Sequence, residues 1–375
     1  MKKVLVPRVR FKGFGEEWKE DTIGNIANIT NGKLDANAMV KSGMYNFYTS
    51  GIDVYKIDKY SFEGKGISIA GNGVNMGYMH LVSGKYNAYQ RTYILNNIKI
   101  DRHFLFYNLW KNFWEFCQKN TREGSIPYLL YNDISDFKIF KSHSNEQQKI
   151  GKLLDQISNL ITLEEIKHNK LKQLKQTLLQ KMFPEYNSKI PRIRFKGFEG
   201  EWKEEKLDDI FKVITGGEPP KNYKNSKHPV GKYKYPIYSN GQEANAIWGF
   251  SDNYSINTEA ITISSIGTIG FPVVRKMFFT PIIRLKTLLP YNKNMNINFL
   301  NLSVSKINFS FNPAGIPSMN SNQLKDNIIL ISRNFSEQQK IGDFFSKIDR
   351  LLDLYNSKLN KLKQIKEALL QKMFV

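Results

Sequence analysis

The chain has 375 residues, with 55 Lys and Arg against 34 Asp and Glu, a formal net charge of +21 and one cysteine. That length leaves room for two domains with separate cores, and a lone thiol excludes a disulfide framework. No apolar run approaches the ~18 residues of a membrane span and the amino terminus lacks an apolar signal core, so a cytoplasmic protein without membrane contact is expected.

In chain order, the first feature is the segment Pro7–Glu20, which returns as Pro191–Glu204 with 11 of 14 positions identical. Between Thr22 and Ser144 the pattern is of short strands and loops. Ile67–Ala70 and Tyr93–Leu95 read as strands beside Gly-rich turns at Gly64–Gly66 and Gly71–Gly73, and the apolar period of Phe104–Gln118 predicts a helix. Cys117 lies in the apolar stretch Phe113–Cys117, the setting of an inert core thiol. After Pro191–Glu204 the same order recurs: Ile261–Ser264 and Ile282–Leu285 are the matching strand positions and Phe299–Phe309 the matching helix. Tyr48–Gly51 matches Tyr238–Gly241, and Ile126, Pro127 and Asp136 match Ile316, Pro317 and Asp326.

Two long helices are the clearest elements. Glu146–Phe183 returns as Glu337–Phe374 with 22 of 38 positions identical. Ser144 or Asn145, and Ser336, stand where helix caps belong. Ile150, Leu153, Ile157, Leu160, Leu171, Leu174 and Leu178 form an apolar seam in the first, interrupted by Glu164 and Lys167. In the second the seam is Ile341, Phe344, Ile348, Leu351, Tyr355, Leu362, Ile365 and Leu369, broken by Lys358. Each seam needs a partner, and the economical one is the other seam in an antiparallel coiled coil; packing of each helix on its own domain is the alternative. The fold class is therefore α+β: two similar mixed α/β domains, each followed by a long helix. The boundaries are a first domain at 1–145, a helix at 146–183, a linker at 184–190, a second domain at 191–336 and a helix at 337–375.

The charge excess sits in the divergent domains, with 20 basic against 13 acidic side chains in residues 1–145 and 19 against 11 in 191–336. A polyanion is the partner this favours, although a composition rich in Lys, Asn and Ile raises the charge by itself. The histidines His80, His103, His143, His168 and His228 have no metal-ligand spacing, and no phosphate-binding Gly-Lys-Ser/Thr loop occurs. Phe311–Gly315 is the nearest approach to an amino-methyltransferase motif and lacks its second proline and aromatic. No catalytic or metal site is therefore expected. Loops rich in basic, aromatic and amide side chains are instead candidates for double-stranded DNA. They contain Tyr89, Gln90 and Arg91; Lys119, Arg122 and Ser125; Lys221, Asn222 and Tyr223; Ser239 and Asn240; and Asn320 and Asn322.

Two divergent domains, each trailed by a helix opening Glu-Gln-Gln-Lys-Ile-Gly and closing Leu-Leu-Gln-Lys-Met-Phe, strongly resemble the specificity subunit of type I restriction-modification systems. The resemblance spans essentially the whole chain. It includes Thr215–Pro220, similar to the Gly-Gly-x-Pro segment that opens a target recognition domain, and the similar turns Ser265–Gly270 and Gly124–Pro127. Gly216, Gly217, Ser265 and Thr268 join the DNA candidates on this ground. The first domain departs, with Thr30–Lys33 at the Gly-Gly position and Gly71–Gly73 a looser match to Ser265–Gly270. The resemblance implies a non-catalytic subunit that reads a bipartite, asymmetric site, one domain per half, with the helices as spacer. It also implies two modification subunits and two restriction subunits as partners, which would carry S-adenosylmethionine, ATP and Mg, none being held by this chain. A stand-alone transcriptional or architectural DNA-binding protein, dimerising through its helices, is the alternative. A nuclease or methyltransferase with an unrecognised site is a third reading.

Overall fold

The computed structural model describes residues 5–119, 126–185, 188–241, 246–292, 294–313 and 315–375. In chain order the first half runs β1 (Lys19–Thr22), α1 (Ile23–Ile26), β2 (Asn28–Asn31), β3 (Tyr45–Tyr48), β4 (Val54–Ile57), β5 (Phe62–Glu63), β6 (Gly66–Ala70), β7 (Met79–Val82), β8 (Lys85–Ala88), β9 (Thr92–Asn96), α2 (Arg102–Lys119), α3 (Tyr131–Ser135), β10 (Lys138–Lys141) and α4 (Ser144–Lys181). The second runs β11 (Lys203–Lys206), α5 (Leu207–Ile210), β12 (Phe211–Thr215), β13 (Tyr223–Lys224), β14 (Tyr235–Tyr238), β15 (Ile247–Ser251), β16 (Ala260–Ser264), β17 (Gly270–Arg275), β18 (Thr280–Pro281), β19 (Lys286–Pro290), α6 (Ile297–Val304), α7 (Ser321–Lys325), β20 (Ile328–Ile331) and α8 (Phe335–Met373). The chain forms two compact units, one of residues 1–166 with 356–375 and one of residues 167–355. Each unit thus owns one α/β domain and a stretch of both long helices.

In the first unit one sheet has the order β2-β9-β6-β7 and a second the order β4-β3-β8-β5. The β6 strand is flanked on both edges, so Ile67, Ser68 and Ile69 are all buried, as a central strand requires. Leu105, Leu109, Phe113 and Cys117, four residues apart along α2, lay one apolar face on Ile67, Ile69 and Leu95. Burial pushes the Cys117 thiol up to about 12, so it stays protonated and fills space beside Gly77. The second unit repeats the plan in β12-β19-β16-β17 and β13-β15-β14-β18. In both, the second sheet contains one parallel pair, β3 with β8 and β14 with β18. The strand added to this sheet differs, β5 in the first unit and β13 in the second.

The repeated motifs have repeated physical tasks. Arg10 Nε and Nη2 donate to Glu146 at 2.8 and 2.7 Å, and Arg194 Nε and Nη2 donate to Glu337 at 2.5 and 2.8 Å. Both carboxylates are fully buried in the first turn of their helix. The next residue, Gln147 or Gln338, accepts the backbone N–H of Asp101 or Asn296 just before α2 or α6. Gly151 and Gly342 let the long helix approach there, because a Cβ would meet Asp101 Oδ1 at 2.6 Å or Asn296 Oδ1 at 2.2 Å. The Glu-Gln-Gln-Lys-Ile-Gly motif is thus a crossing point between a long helix and the domain that precedes it.

The closing Met-Phe does the opposite. Met182 and Phe183 enter the core of the second unit, where Phe183 contacts Trp202 and Phe299 at ring distances of 5.3 and 5.7 Å. Met373 and Phe374 enter the core of the first, where Phe374 contacts Trp18 and Phe104 at 6.1 and 5.3 Å. Backbone bonds follow the same rule: Ile193 N–H donates to Lys181 and Val9 N–H to Lys372.

Within each unit α4 and α8 run antiparallel. Lys358 pairs with Glu164 at 2.9 Å and Lys363 with Glu165 at 2.7 Å in the first unit, and Lys175 pairs with Asp349 in the second. Glu164 and Lys358, which interrupt the two apolar seams, are therefore partners across the helix pair. Of the expected seam positions, Ile150, Ile157, Ile341 and Ile348 are buried, and Leu153, Leu171, Leu178, Phe344, Tyr355, Leu362 and Leu369 are half-buried. Leu160, Leu174, Leu351 and Ile365 are exposed, and Leu154, Ile161, Phe345, Leu359 and Leu370 are buried instead. The physical reason is that each helix covers its partner and an α/β domain at once, which needs a stripe turned and widened from a strict heptad seam.

Two other local expectations are corrected. Ile282–Leu285 is a turn, closed by the Leu285 N–H to the Ile282 carbonyl, with Ile283 and Arg284 at φ 52° and 60°; the strand is β19, directly after it. The helix expected over Phe299–Phe309 stops at Val304, where the hydroxyls of Ser303 and Ser305 bond back to Phe299 and Leu302.

Candidate nucleic-acid interface

Five loops meet at one edge of the two sheets in the first unit. Gly32 N–H donates to Thr92, Gln90 N–H to Leu34, Tyr89 N–H to Tyr48 and Gly71 N–H to Arg91, all within 2.8–3.0 Å. Ser50 Oγ donates to Asn72 Oδ1 at 2.5 Å, Gly73 N–H to Pro127 and Leu129 N–H to Gly71. The turn Tyr89–Arg91 lies at the centre, with Gln90 and Arg91 exposed and Gln90 Nε2 donating to Asp35 at 2.8 Å.

The second unit builds the same lattice from other residues. Gly216 N–H donates to Leu285, Ile283 N–H to Gly217, Ile282 N–H to Tyr238, Gly267 N–H to Pro317 and Met319 N–H to Ser265. Asn240 holds the centre: its Oδ1 accepts from Ser265 N–H at 2.8 Å and its amide donates to the Ile283 carbonyl. Ser265 is buried and spends its hydroxyl on the Arg284 carbonyl at 2.6 Å, so it supports the turn that displays Arg284. A β-branched residue at positive φ is unusual, and here two successive left-handed residues are held by these bonds.

The matched bonds align Gly32 with Gly216. The first domain therefore has the close approach that its Thr30–Lys33 sequence left open. A Cβ on Gly32 would lie 2.1 Å from the Ala88 carbonyl oxygen, and one on Gly216 would lie 2.7 Å from the Ile282 nitrogen. Gly217 faces open space. Gly32→Ala and Gly216→Ala are each expected to destabilise their own unit by about 1–3 kcal/mol, as overpacking does. Gly217→Ala should stay within about 0.5 kcal/mol, and thermal denaturation of the three variants separates these outcomes.

The remaining candidates fall into three groups. Tyr223, in β13, packs on Trp248 at 4.5 Å and follows the exposed Lys221 and Asn222; a cleft of about 560 Å³ lined by Asn225, Ser239, Asn240 and Trp248 joins this strand to the Asn240 loop. Asn320 caps α7, its Oδ1 accepting from Gln323 N–H at 2.8 Å, which leaves Asn322 on the exposed side of that helix. Thr268 follows Gly267 in the lattice. Lys119 pairs with Glu115 one turn back on α2, and Arg122 and Ser125 lie outside the described residues.

Asn72, Arg284, Thr215, Lys286 and Ser321 are not among the DNA contacts expected from the sequence, although Asn72, Thr215 and Ser321 lie in loops it singles out. Lys286 is 5% exposed, and its Nζ donates to Thr215 Oγ1 at 3.0 Å and Ser321 Oγ at 2.9 Å. Burial and the charge of Arg284 both lower its pKa. Ile126 and Ile316, 70% and 71% exposed at equivalent lattice positions, are also display sites, and their shared offset was the available signal. Among the described residues no group of His, Cys, Asp and Glu could hold a metal ion. No described helix is long and apolar enough to cross a membrane.

Comparison with known proteins agrees with this arrangement. The profile of the type I restriction modification DNA specificity domain matches residues 15–173 and 199–364. A Mycoplasma pneumoniae protein named as a type I specificity subunit is 28% identical over 331 residues, which is 85% of this chain and 86% of the relative. The specificity subunit of the type I restriction enzyme EcoDI of Escherichia coli is 28% identical over 238 residues; the match covers 56% of this chain but only 53% of that protein. The crystal structure of an S subunit of a type I restriction-modification system from M. genitalium has the same fold, with a TM-score of 0.76 over 99% of both chains at 19% identity. With two matched domains, a doubly built loop lattice and paired long helices, the chain belongs to the type I restriction-modification DNA specificity subunit family.

Proposed function

We propose that this chain is the non-catalytic reader of a type I complex and recognises a bipartite, asymmetric DNA site, one α/β domain per half. The observation that carries this is the lattice itself. One backbone framework holds Gln90, Arg91, Asn72 and Tyr128 in the first unit and Ile283, Arg284, Ile266 and Ser318 in the second. A common scaffold with different side chains at its tips suits two readers of different sequence, because base edges in the major groove are distinguished by side-chain donors, acceptors and apolar contacts. The functional modules are 1–145 and 191–336, and the helices 146–183 and 337–375 serve as spacer. At ~1.5 Å per residue a helix of that length is about 55 Å long, enough to bridge half-sites one turn of DNA, about 34 Å, apart.

Chemistry then belongs to partners. Two modification subunits would bring S-adenosylmethionine and two restriction subunits ATP and Mg. The exposed apolar side chains Leu160, Leu163 and Ile166 on α4 and Leu351 and Leu354 on α8, 46–64% exposed, are our candidates for seating the modification subunits. The test is a binding and methylation assay on the chain reconstituted with its modification subunits. Affinity for a split site is expected to fall ~10³-fold or more between 50 and 200 mM salt, the mark of several phosphate contacts. Exchange of residues 191–336 for those of a relative should change one half-site of the methylated sequence. Change in both halves, or binding indifferent to salt, would sink the two-reader assignment.

A further inference from the structure

The Lys286 cluster sits between two of the loops assigned to DNA. Thr215 is exposed and directly precedes Gly216, and Ser321 directly follows Asn320. Besides accepting from Lys286, the two hydroxyls are 3.2 Å apart. An ammonium has three hydrogens and each hydroxyl one. The two bonds from Lys286 and one bond between the hydroxyls consume three of these five, so among the described residues donors are left over in a cationic group that also feels the charge of the cation Arg284. A cluster with surplus donors and positive charge is completed by an anionic oxygen. The first unit keeps an arginine, Arg91, at the place of Arg284 but differs at the paired strand positions. Register places Asn31 opposite Tyr93 where Thr215 faces Lys286, and Tyr93 spends its hydroxyl inward on the Leu129 carbonyl at 3.0 Å.

We propose that Thr215, Lys286 and Ser321, flanked by Arg284, form a seat for one DNA phosphodiester that only the second recognition domain possesses. The proposal rests on the DNA-reading assignment above. Lys286 is a positioning and charge-bearing residue behind two hydroxyls that make the contact. The shared chemistry is an acceptor oxygen on DNA, which a phosphate or a base edge supplies; the assignment is to phosphate.

The test uses the full chain with its modification subunits and a duplex carrying the methylated site, titrated with salt. Lys286→Met is expected to lower the slope of log K against log salt by about 0.9, one phosphate contact, with the preference among second half-sites unchanged. Lys286→Arg should restore the slope. Thr215→Val with Ser321→Ala, which leaves the lysine in place, should weaken binding to every half-site variant alike. Circular dichroism of each variant separates misfolding from loss of contact, and the hydroxyl variant decides the matter if Lys286→Met does not fold. An unchanged slope overturns the proposal. So does an altered half-site preference at constant slope, which would mark a base contact. Absence of DNA binding by the unsubstituted complex would instead overturn the broader reading.

Discussion

Phe374→Ala is expected to destabilise the first unit by about 3–5 kcal/mol, the cost of truncating a buried phenylalanine, and to leave the second unit unchanged. Phe374 is 3% exposed and completes a three-ring cluster with Trp18 and Phe104. Phe183→Ala should do the reverse, because Phe183 closes the equivalent cluster with Trp202 and Phe299. Amide hydrogen exchange resolves the two units: the slow amides of β6 and β9 should accelerate in the first variant, and those of β16 and β19 in the second. Equal acceleration in both units, or acceleration in the unit that precedes the substituted helix in sequence, would contradict the crossed closure.

The second large effect is expected at the repeated ion pairs. Arg194→Ala leaves the fully buried Glu337 carboxylate without its bidentate partner, and loss of one member of such a pair costs about 3–5 kcal/mol. The helix amino terminus offsets a part of that. Arg194→Lys should recover only some of the loss, since an ammonium cannot present the two parallel N–H groups that meet Oε1 and Oε2. Replacing both residues with Met and Leu should be far milder than either single change, because no charge is then stranded. Arg10 and Glu146 predict the same pattern in the first unit. Denaturant unfolding read by hydrogen exchange measures each; a loss below about 1 kcal/mol for Arg194→Ala would mean that water reaches Glu337.

Much of this architecture is legible residue by residue. Ile67–Ala70, Ile261–Ser264 and the α2 stripe follow from apolar spacing. The expected caps are corrected: Ser144, Asn145 and Ser336 already lie inside α4 and α8, and Asn334, whose Oδ1 accepts the Glu337 N–H at 3.2 Å, caps the second helix, because a side chain caps only from just outside the first turn. Ile282–Leu285 misleads because an apolar, β-branched run reads as strand while tertiary bonds from Gly216, Gly217 and Ser265 hold it as a left-handed turn. The seam positions shift for a related reason: periodicity reports that a face is buried, but not by how many partners. Glu164 and Lys358 look like defects in two separate seams and acquire meaning only as a pair. Lys286 is invisible as a site in the sequence, since one lysine among 55 basic residues carries no mark of burial.

By itself the sequence determined the duplication, the two α/β domains, the two long helices and the divergence of the displayed loops. Identical side chains at identical spacing must make the same local contacts, and loops free of that identity must present different surfaces. Only the tertiary structure decided that each long helix opens on the domain before it and closes into the other one. It also decided which loop residues are display and which, like Ser265 and Asn240, are framework. Those choices depend on contacts such as Val9 with Lys372 and Lys286 with Ser321, between positions far apart along the chain, and local periodicity carries no information about them.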